Sequence, residues 1–407
     1  MISLKFSAKV LSAMLRERLR NLFSLRGNLP APALSEVISN TGWNMYTVLW
    51  QPYVLSLGAT MPILGSLTGL ETALRSGFLL ITGRITDFVG RKRLQVVSHL
   101  LSITGIALAV LAGSWFLLIP TIIFLGVAGA LWVPAHNAVV AASLKENERG
   151  TAFSLISLTW FTPGFYAPVL AGYLAERYGF RVVLSIMLIT SVSAVTTFQV
   201  FIRETLKQRR AVNFRLLLAS LGEVFKPRFE LSKFYVAMII DSYAGFMIGG
   251  IFFGMLMKTF GFTLLELGIL SNVLAVTVAV SQVPMGKLVD RYGGKRILIV
   301  SRVVGLLSLV SYLFAGGLAS FVVCRVISGL ASSTWTPAFN TYVSNAVPEE
   351  ERGRVFGDLN GLMGLTSFPA PILGAFLYES YGFQVPILAT LVPALTAIIL
   401  LTTVKER

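Results

Sequence analysis

"GRITDFVGRKR" runs from Gly83 to Arg93, and "GKLVDRYGGKR" runs from Gly286 to Arg296, 203 residues later. Each sets one aspartate, Asp87 or Asp290, among basic residues between two apolar segments. Residues 83–183 laid on 286–386 at that single offset, without a gap, give 31 identities in 101 positions. The matches include Trp132/Trp335, Pro134/Pro337, Asn137/Asn340, Arg149/Arg352, Gly150/Gly353 and Pro168/Pro371. A repeat of this length predicts two parallel halves of like structure.

The solvent of those halves follows from composition. Of 407 residues, 55% are hydrophobic and 13% charged, with a mean hydropathy of +0.75, which suits a surface facing lipid. A helix crosses a bilayer with about 20 apolar residues. Apolar runs predict twelve spans, at 35–57, 61–83, 94–113, 116–142, 151–175, 181–202, 233–257, 264–286, 296–316, 318–343, 354–377 and 383–403. The expected fold is an all-α integral membrane protein of two six-helix halves. Residues 34–202 and 233–407 form the halves, and 203–232 a cytoplasmic linker. Residues 1–33 read as a basic amphipathic segment on the cytoplasmic membrane surface. An organellar transit peptide is the minority reading of that Arg-rich, acid-poor stretch.

The formal net charge of +15 invites a nucleic-acid reading, which the distribution excludes. With the N-terminus inside, 29 of 34 basic residues fall on the inner side. That bias predicts both termini cytoplasmic in a multi-pass protein of the cell membrane. One cysteine, Cys324, rules out an internal disulfide, and with only two histidines no metal site is expected. No cofactor is expected, and the absence of a Walker sequence argues against direct use of ATP.

With repeat, span count and motif in hand, the chain resembles the major facilitator superfamily over roughly residues 34 to 404. "GRITDFVGRKR" matches the family's loop signature between spans 2 and 3, with Phe88 where a basic residue is usual. "KENERG" and "PEEERG" match its acidic-Arg-Gly turns, and "APVLAG" (Ala167–Gly172) weakly resembles its span-5 antiporter motif. The resemblance implies a cytoplasmic latch of Gly83, Asp87, Gly90, Arg91 and Arg93, with Gly286, Asp290 and Gly293 as the second copy. The glycines permit tight turning at helix ends, and Asp87 can pair with Arg91 or cap a helix. Positive-inside topology alone explains the basic residues equally well, but does not require Asp87.

Four charges lie well inside predicted spans: Glu71 and Arg75 one turn apart on span 2, Asp241 on span 7 and Arg325 on span 10. Such charges need a partner, a substrate or water. Structural pairing is the plain reading; substrate or proton coupling is the functional one, favoured for Asp241 and Arg325 because spans 7 and 10 line the cavity of the resembled family. Their depths differ by roughly 10 Å at ~1.5 Å rise per residue, so a substrate or protonatable bridge is expected between them. Arg325 has Ile122 as its counterpart in span 4. Asn40 and Asn44 share a face of span 1, and serve a cavity lining or interhelical hydrogen bonds. Trp132, Asn137, Trp335 and Asn340 are duplicated and suit an inner gate. His136 faces Phe339 in the repeat and is able to titrate near neutral pH, although a buried, satisfied histidine is the plainer reading.

The combined reading is a monomeric secondary transporter, not an enzyme, that moves a small solute by alternating access. Protons are a candidate coupling ion, and membrane lipid the surroundings. Drug efflux and metabolite uptake stay open, and a non-transporting sensor or scaffold of the same fold is the competing class.

Overall fold

The computed structural model describes residues 30–142, 159, 162–201 and 231–405, with the backbone alone for 30–33, 83–89, 91, 137–142, 200–201 and 350. The predicted N-terminal segment up to residue 29, the span-4 to span-5 turn with Arg149, and the linker lie outside the described residues. What is described is helical: α1 (Pro30–Ser56), α2 (Met61–Val89), α3 (Arg91–Leu111), α4 (Leu118–Ala142), α5 (Ala167–Tyr178), α6 (Phe180–Phe201), α7 (Ser232–Gly249), α8 (Phe252–Phe260), α9 (Leu264–Tyr292), α10 (Gly294–Leu313), α11 (Leu318–Ala346), α12 (Glu349–Ser367), α13 (Pro369–Tyr381) and α14 (Gln384–Thr403). Among the described residues, nine stretches are long and apolar enough to cross a membrane. Side chains such as Leu111, Val280 and Phe314, 72–83% exposed, give the bundle an outer surface suited to lipid.

Helix starts repeat with the sequence. Thr60 accepts a hydrogen bond from Ile63 N at the head of α2, and Thr263 forms a capping box with Glu266 at the head of α9. Helix ends repeat too, and correct the expected boundaries. Both helices run on through most of the charged motif, to Val89 and Tyr292, so Gly83 and Gly286 are helical. The turns are made by Gly90 (φ 105°) and Gly293 (φ 86°), in a region other residues enter only with strain. The continuous backbone hydrogen bonding of a helix persists at the membrane edge until a glycine releases it. Asp358 is buried within α12, with Arg354 Nε 4.0 Å away.

Packing repeats as well. α2 packs on α4 and α9 on α11; α1 on α6 and α7 on α14; α3 on α6 and α10 on α14. Between repeats, α2 meets α13 and α5 meets α9. A Cβ at Gly65 would overlap the carbonyl oxygen of Pro371, and one at Gly268 that of Pro168, the same contact made twice. Small residues allow the backbones to touch, the usual basis of helix association in lipid. The small residues of "APVLAG" therefore serve a helix contact: Gly172 lies against the backbone of Leu264 and Leu265.

Two polar ties join the repeats near the same end. Gln51 bridges the break between α7 and α8, donating to Gly249 O at 3.2 Å and accepting from Gly254 N at 3.0 Å. Glu176 accepts from Leu265 N at 2.8 Å at the start of α9. The largest apolar cluster draws on both repeats, from Met45, Leu64 and Val183 to Met255, Leu270 and Phe321. A second cluster, around Phe234, Leu298, Phe339 and Leu359, takes its fully buried members from the second repeat alone.

If these glycine contacts hold the repeats together, Gly268→Ala and Gly65→Ala should each destabilise by about 1–3 kcal/mol through backbone overlap. Gly286→Ala, with no atom within 4 Å of its added Cβ, should change little. Melting of the three detergent-purified variants against the parent checks the ranking.

Candidate functional site

Among the described residues, each repeat holds a cavity. The first, about 90 Å³, is enclosed by α1, α2, α3, α4 and α6; the second, about 350 Å³, by α7, α8, α10, α11 and α14. They are one construction used twice. Ile106 and Ala128 in the first stand where Leu309 and Ala331 stand in the second. Ser98 donates to Ala128 O at 2.7 Å, and Ser301 to Ala331 O at 2.9 Å. Trp132 stacks on His136 with ring centres 4.4 Å apart, and Trp335 on Phe339 at 4.9 Å.

Charge breaks the symmetry. In the second cavity Asp241 of α7 accepts from Arg302 Nη1 of α10 through both carboxylate oxygens, each at 3.1 Å. Arg302 also donates from Nη2 to Ser301 Oγ at 3.3 Å and lies 5.7 Å over the Trp335 ring. Asp241 and Arg325, between which a bridge was expected, line one cavity, and the aspartate's hydrogen-bonding partner there is Arg302. Arg302 stands six residues into the predicted span 296–316, and α10, starting at Gly294, sets it deeper still. Arg325 of α11 donates from Nε to Leu270 O at 3.1 Å, with its guanidinium 5.3 and 5.6 Å from the ring centres of Phe252 and Phe253. Among the described residues no carboxylate pairs with it.

The first cavity holds different chemistry. Glu71 and Arg75 of α2 line it from one face, without a direct ion pair among the described residues. Their counterparts 203 residues on are Leu274 and Val278. A Cβ at Gly129 would sit 3.4 Å from Arg75 Nε, so this glycine accommodates the arginine against α4. His99 stands where the second repeat has Arg302; its Nε2 is buried without a hydrogen-bond partner among the described residues. Glu36 of α1, 5% exposed, lies 3.2 Å from His136 Nδ1 of α4.

The remaining expected residues divide. Asn40 lines the first cavity with Nδ2 unpartnered among the described residues, while Asn44 donates to Asn40 O at 2.8 Å and lies off the cavity. Trp132 and Trp335 take equivalent stacked places, Asn340 is exposed, and the side chain of Asn137 lies outside the described residues. Asp290 and Arg93 are exposed, and the side chains of Asp87 and Arg91 lie outside the described residues. Sequence reasoning passed over Glu36, His99 and Arg302. Glu36 falls beside a predicted span end, where charge is ordinary; Arg302 lies within the predicted span 296–316, and the repeat alignment already set His99 opposite it.

The Asp241–Arg302 pair is open to a double-mutant test. Arg302→Ala leaves a buried carboxylate alone and should cost about 3–5 kcal/mol, and Asp241→Ala in that background should recover part of it. Melting of the single and double variants measures the coupling.

Comparison with known proteins agrees with this architecture. "Multidrug resistance protein MdtG" of Salmonella arizonae is 26% identical over 372 residues, covering 88% of this chain and 90% of that protein. The Dickeya zeae protein of the same name is 28% identical over 337 residues, covering 80% and 79%. Among solved structures, a POT family transporter in complex with 5-aminolevulinic acid aligns with a TM-score of 0.75 at 11% identity, covering 92% of this chain and 94% of that one. A bacterial homolog of the human lysosomal transporter Spinster, inward-facing and unoccupied, aligns at 0.73 with 16% identity, covering 92% and 96%. The Major Facilitator Superfamily matches residues 33–244 and 234–407, virtually the whole described chain, and the protein is a membrane transporter belonging to that family.

Proposed function

We propose that this secondary transporter carries a small organic solute by alternating access, in twelve spans arranged as two six-helix halves. Residues 34–202 and 233–407 are the halves, 203–232 links them, and both termini are cytoplasmic. The observation that carries the reading is the pair of equivalent cavities, whose frames match and whose charges do not. A symmetric frame lets two halves rock about a common centre, and unequal charge gives each half its own task. The multidrug label of the relatives supports a small organic cargo.

The conformation fits an inward-open state. Both repeats share the apolar cluster and the Gln51 and Glu176 ties at the end where the charge bias places the outer face. Asp290, in the second copy of the latch, has no ion pair among the described residues. A latch of Asp87 with Arg91 would engage when the protein opens outward, with Gly90 and Gly293 as turning points.

Proton coupling belongs to the first half. The Asp241–Arg302 pair is closed on itself by two hydrogen bonds, whereas Glu36, His99 and His136 place an acid and two imidazoles in the first half. Glu71, Arg75 and His99 line the first cavity, while α6 adds Met187 and Ser191 and no ionisable group to its wall.

Purified protein in liposomes should accumulate substrate under a pH gradient. Glu36→Gln and His136→Phe should abolish gradient-driven accumulation and retain exchange of substrate between the two sides. Wild-type accumulation in both variants would remove these residues from coupling, and absence of saturable flux for any solute would leave a non-transporting protein. Orientation has its own check. In a Cys324→Ser background, a cysteine at Ser220 should label from the cytoplasmic side and one at Gly317 only from outside; labelling of both from one face contradicts the twelve-span arrangement.

A further inference from the structure

Arg325 is a charge in the second cavity that no acid among the described residues accounts for. The Asp241 carboxylate is engaged by Arg302 at 3.1 Å, so the two cancel, and Arg325 leaves the cavity with one net positive charge. What Arg325 does have is partial: the Leu270 carbonyl at Nε and the faces of Phe252 and Phe253. Aromatic faces hold a guanidinium in place while leaving its terminal N–H groups able to donate. Packing does not require the charge, because Ile122, at the equivalent place in the first repeat, is fully buried.

The surroundings narrow what would complete it. Ser328 and Tyr312 line the cavity beside Arg325, with their hydroxyls 2.8 Å apart. Phe252, Phe253 and Leu309 supply apolar wall, and a volume of about 350 Å³ lies within the ordinary range for a small ligand. A planar guanidinium presents two parallel donors that match two oxygens of one anionic group. We propose that the second cavity binds the head group of an organic anion, a carboxylate or related oxyanion on an apolar or aromatic body, with Arg325 as its counter-charge. The proposal rests on the transporter reading and assigns its substrate class. Arg325 is the recognition residue, Phe252 and Phe253 fix its guanidinium, and the Asp241–Arg302 pair keeps a second cation from competing for the anion.

Three probes of matched body test it: 2-naphthoate, 2-naphthylmethanol and 2-naphthylmethylammonium. Calorimetric titration of the purified full-length protein, in low-chloride buffer, should show saturable binding of the carboxylate and at least tenfold weaker binding of the other two. Arg325→Ala should lower carboxylate affinity at least tenfold, and Arg325→Lys should restore part of it, because an ammonium supplies the charge without the planar fork. Melting and gel filtration of both variants report folding. If Arg325→Ala does not fold, Ser328→Ala and Tyr312→Phe provide the second arm, each expected to weaken the carboxylate selectively. Preference for the ammonium, binding of no probe, or an Arg325→Ala variant that keeps wild-type affinity would each overturn the anion assignment. Proteoliposome flux separates this from the underlying reading: saturable transport of other solutes with no anion preference leaves the transporter standing and removes only the substrate class.

Discussion

A charge carried into the hydrocarbon region must be met by an opposite charge, a dipole or water, since leaving it bare costs at least about 2.5–3.5 kcal/mol at the bilayer centre. The interior of this protein is organised around that requirement. Asp241 is answered by Arg302, Glu36 by His136, and Arg325 by a carbonyl and two aromatic rings. The helices that carry these groups are set in place by other neighbours: α1 packs on α6, α4 on α2 and α3, α7 on α14, and α10 on α11. Apolar packing sets the distances and charge sets the chemistry.

The repeat separates those two contributions. Positions that pack are retained across 203 residues: Ser98 and Ser301 make the same bond, Trp132 and Trp335 stack alike, and Gly65 and Gly268 meet equivalent prolines. Charged interior positions diverge, as with His99 against Arg302, Ile122 against Arg325, and Arg75 against Val278. A frame built twice accommodates such divergence because the packing positions around those side chains are shared by both repeats. One half is then able to carry titratable groups while the other carries fixed positive charge.

The joint between the repeats is as asymmetric as the charge. Gln51 reaches from α1 into the break between α7 and α8, where two backbone groups have lost their helical partners. Thr68 of α2 adds a bond to Gly250 O at 3.3 Å in the same break. A broken helix inside a membrane is tolerated where neighbouring side chains satisfy its backbone. Here that duty falls to the opposite repeat, so the break is also a tie.

Much of this was legible in the chain. Apolar runs of about 20 residues, the excess of basic residues on alternate loops and the gapless repeat determine the class, the order of the helices and the family, because lipid imposes its constraints residue by residue along the sequence. Hydrophobicity and spacing also marked Asp241, Arg325, Glu71 and Arg75 as charges needing an answer. Which group answers which was decided only by the fold. Asp241 finds Arg302, 61 residues away, and Glu36 finds His136, 100 residues away, by the packing angle between helices and not by any local pattern. Helix ends moved for a similar reason: apolar content locates a span, but the helix runs on until a backbone able to take positive φ, at Gly90 and Gly293, releases it. Pairing across a bundle depends on rotation and depth of whole helices, quantities that side chains at many distant positions set together.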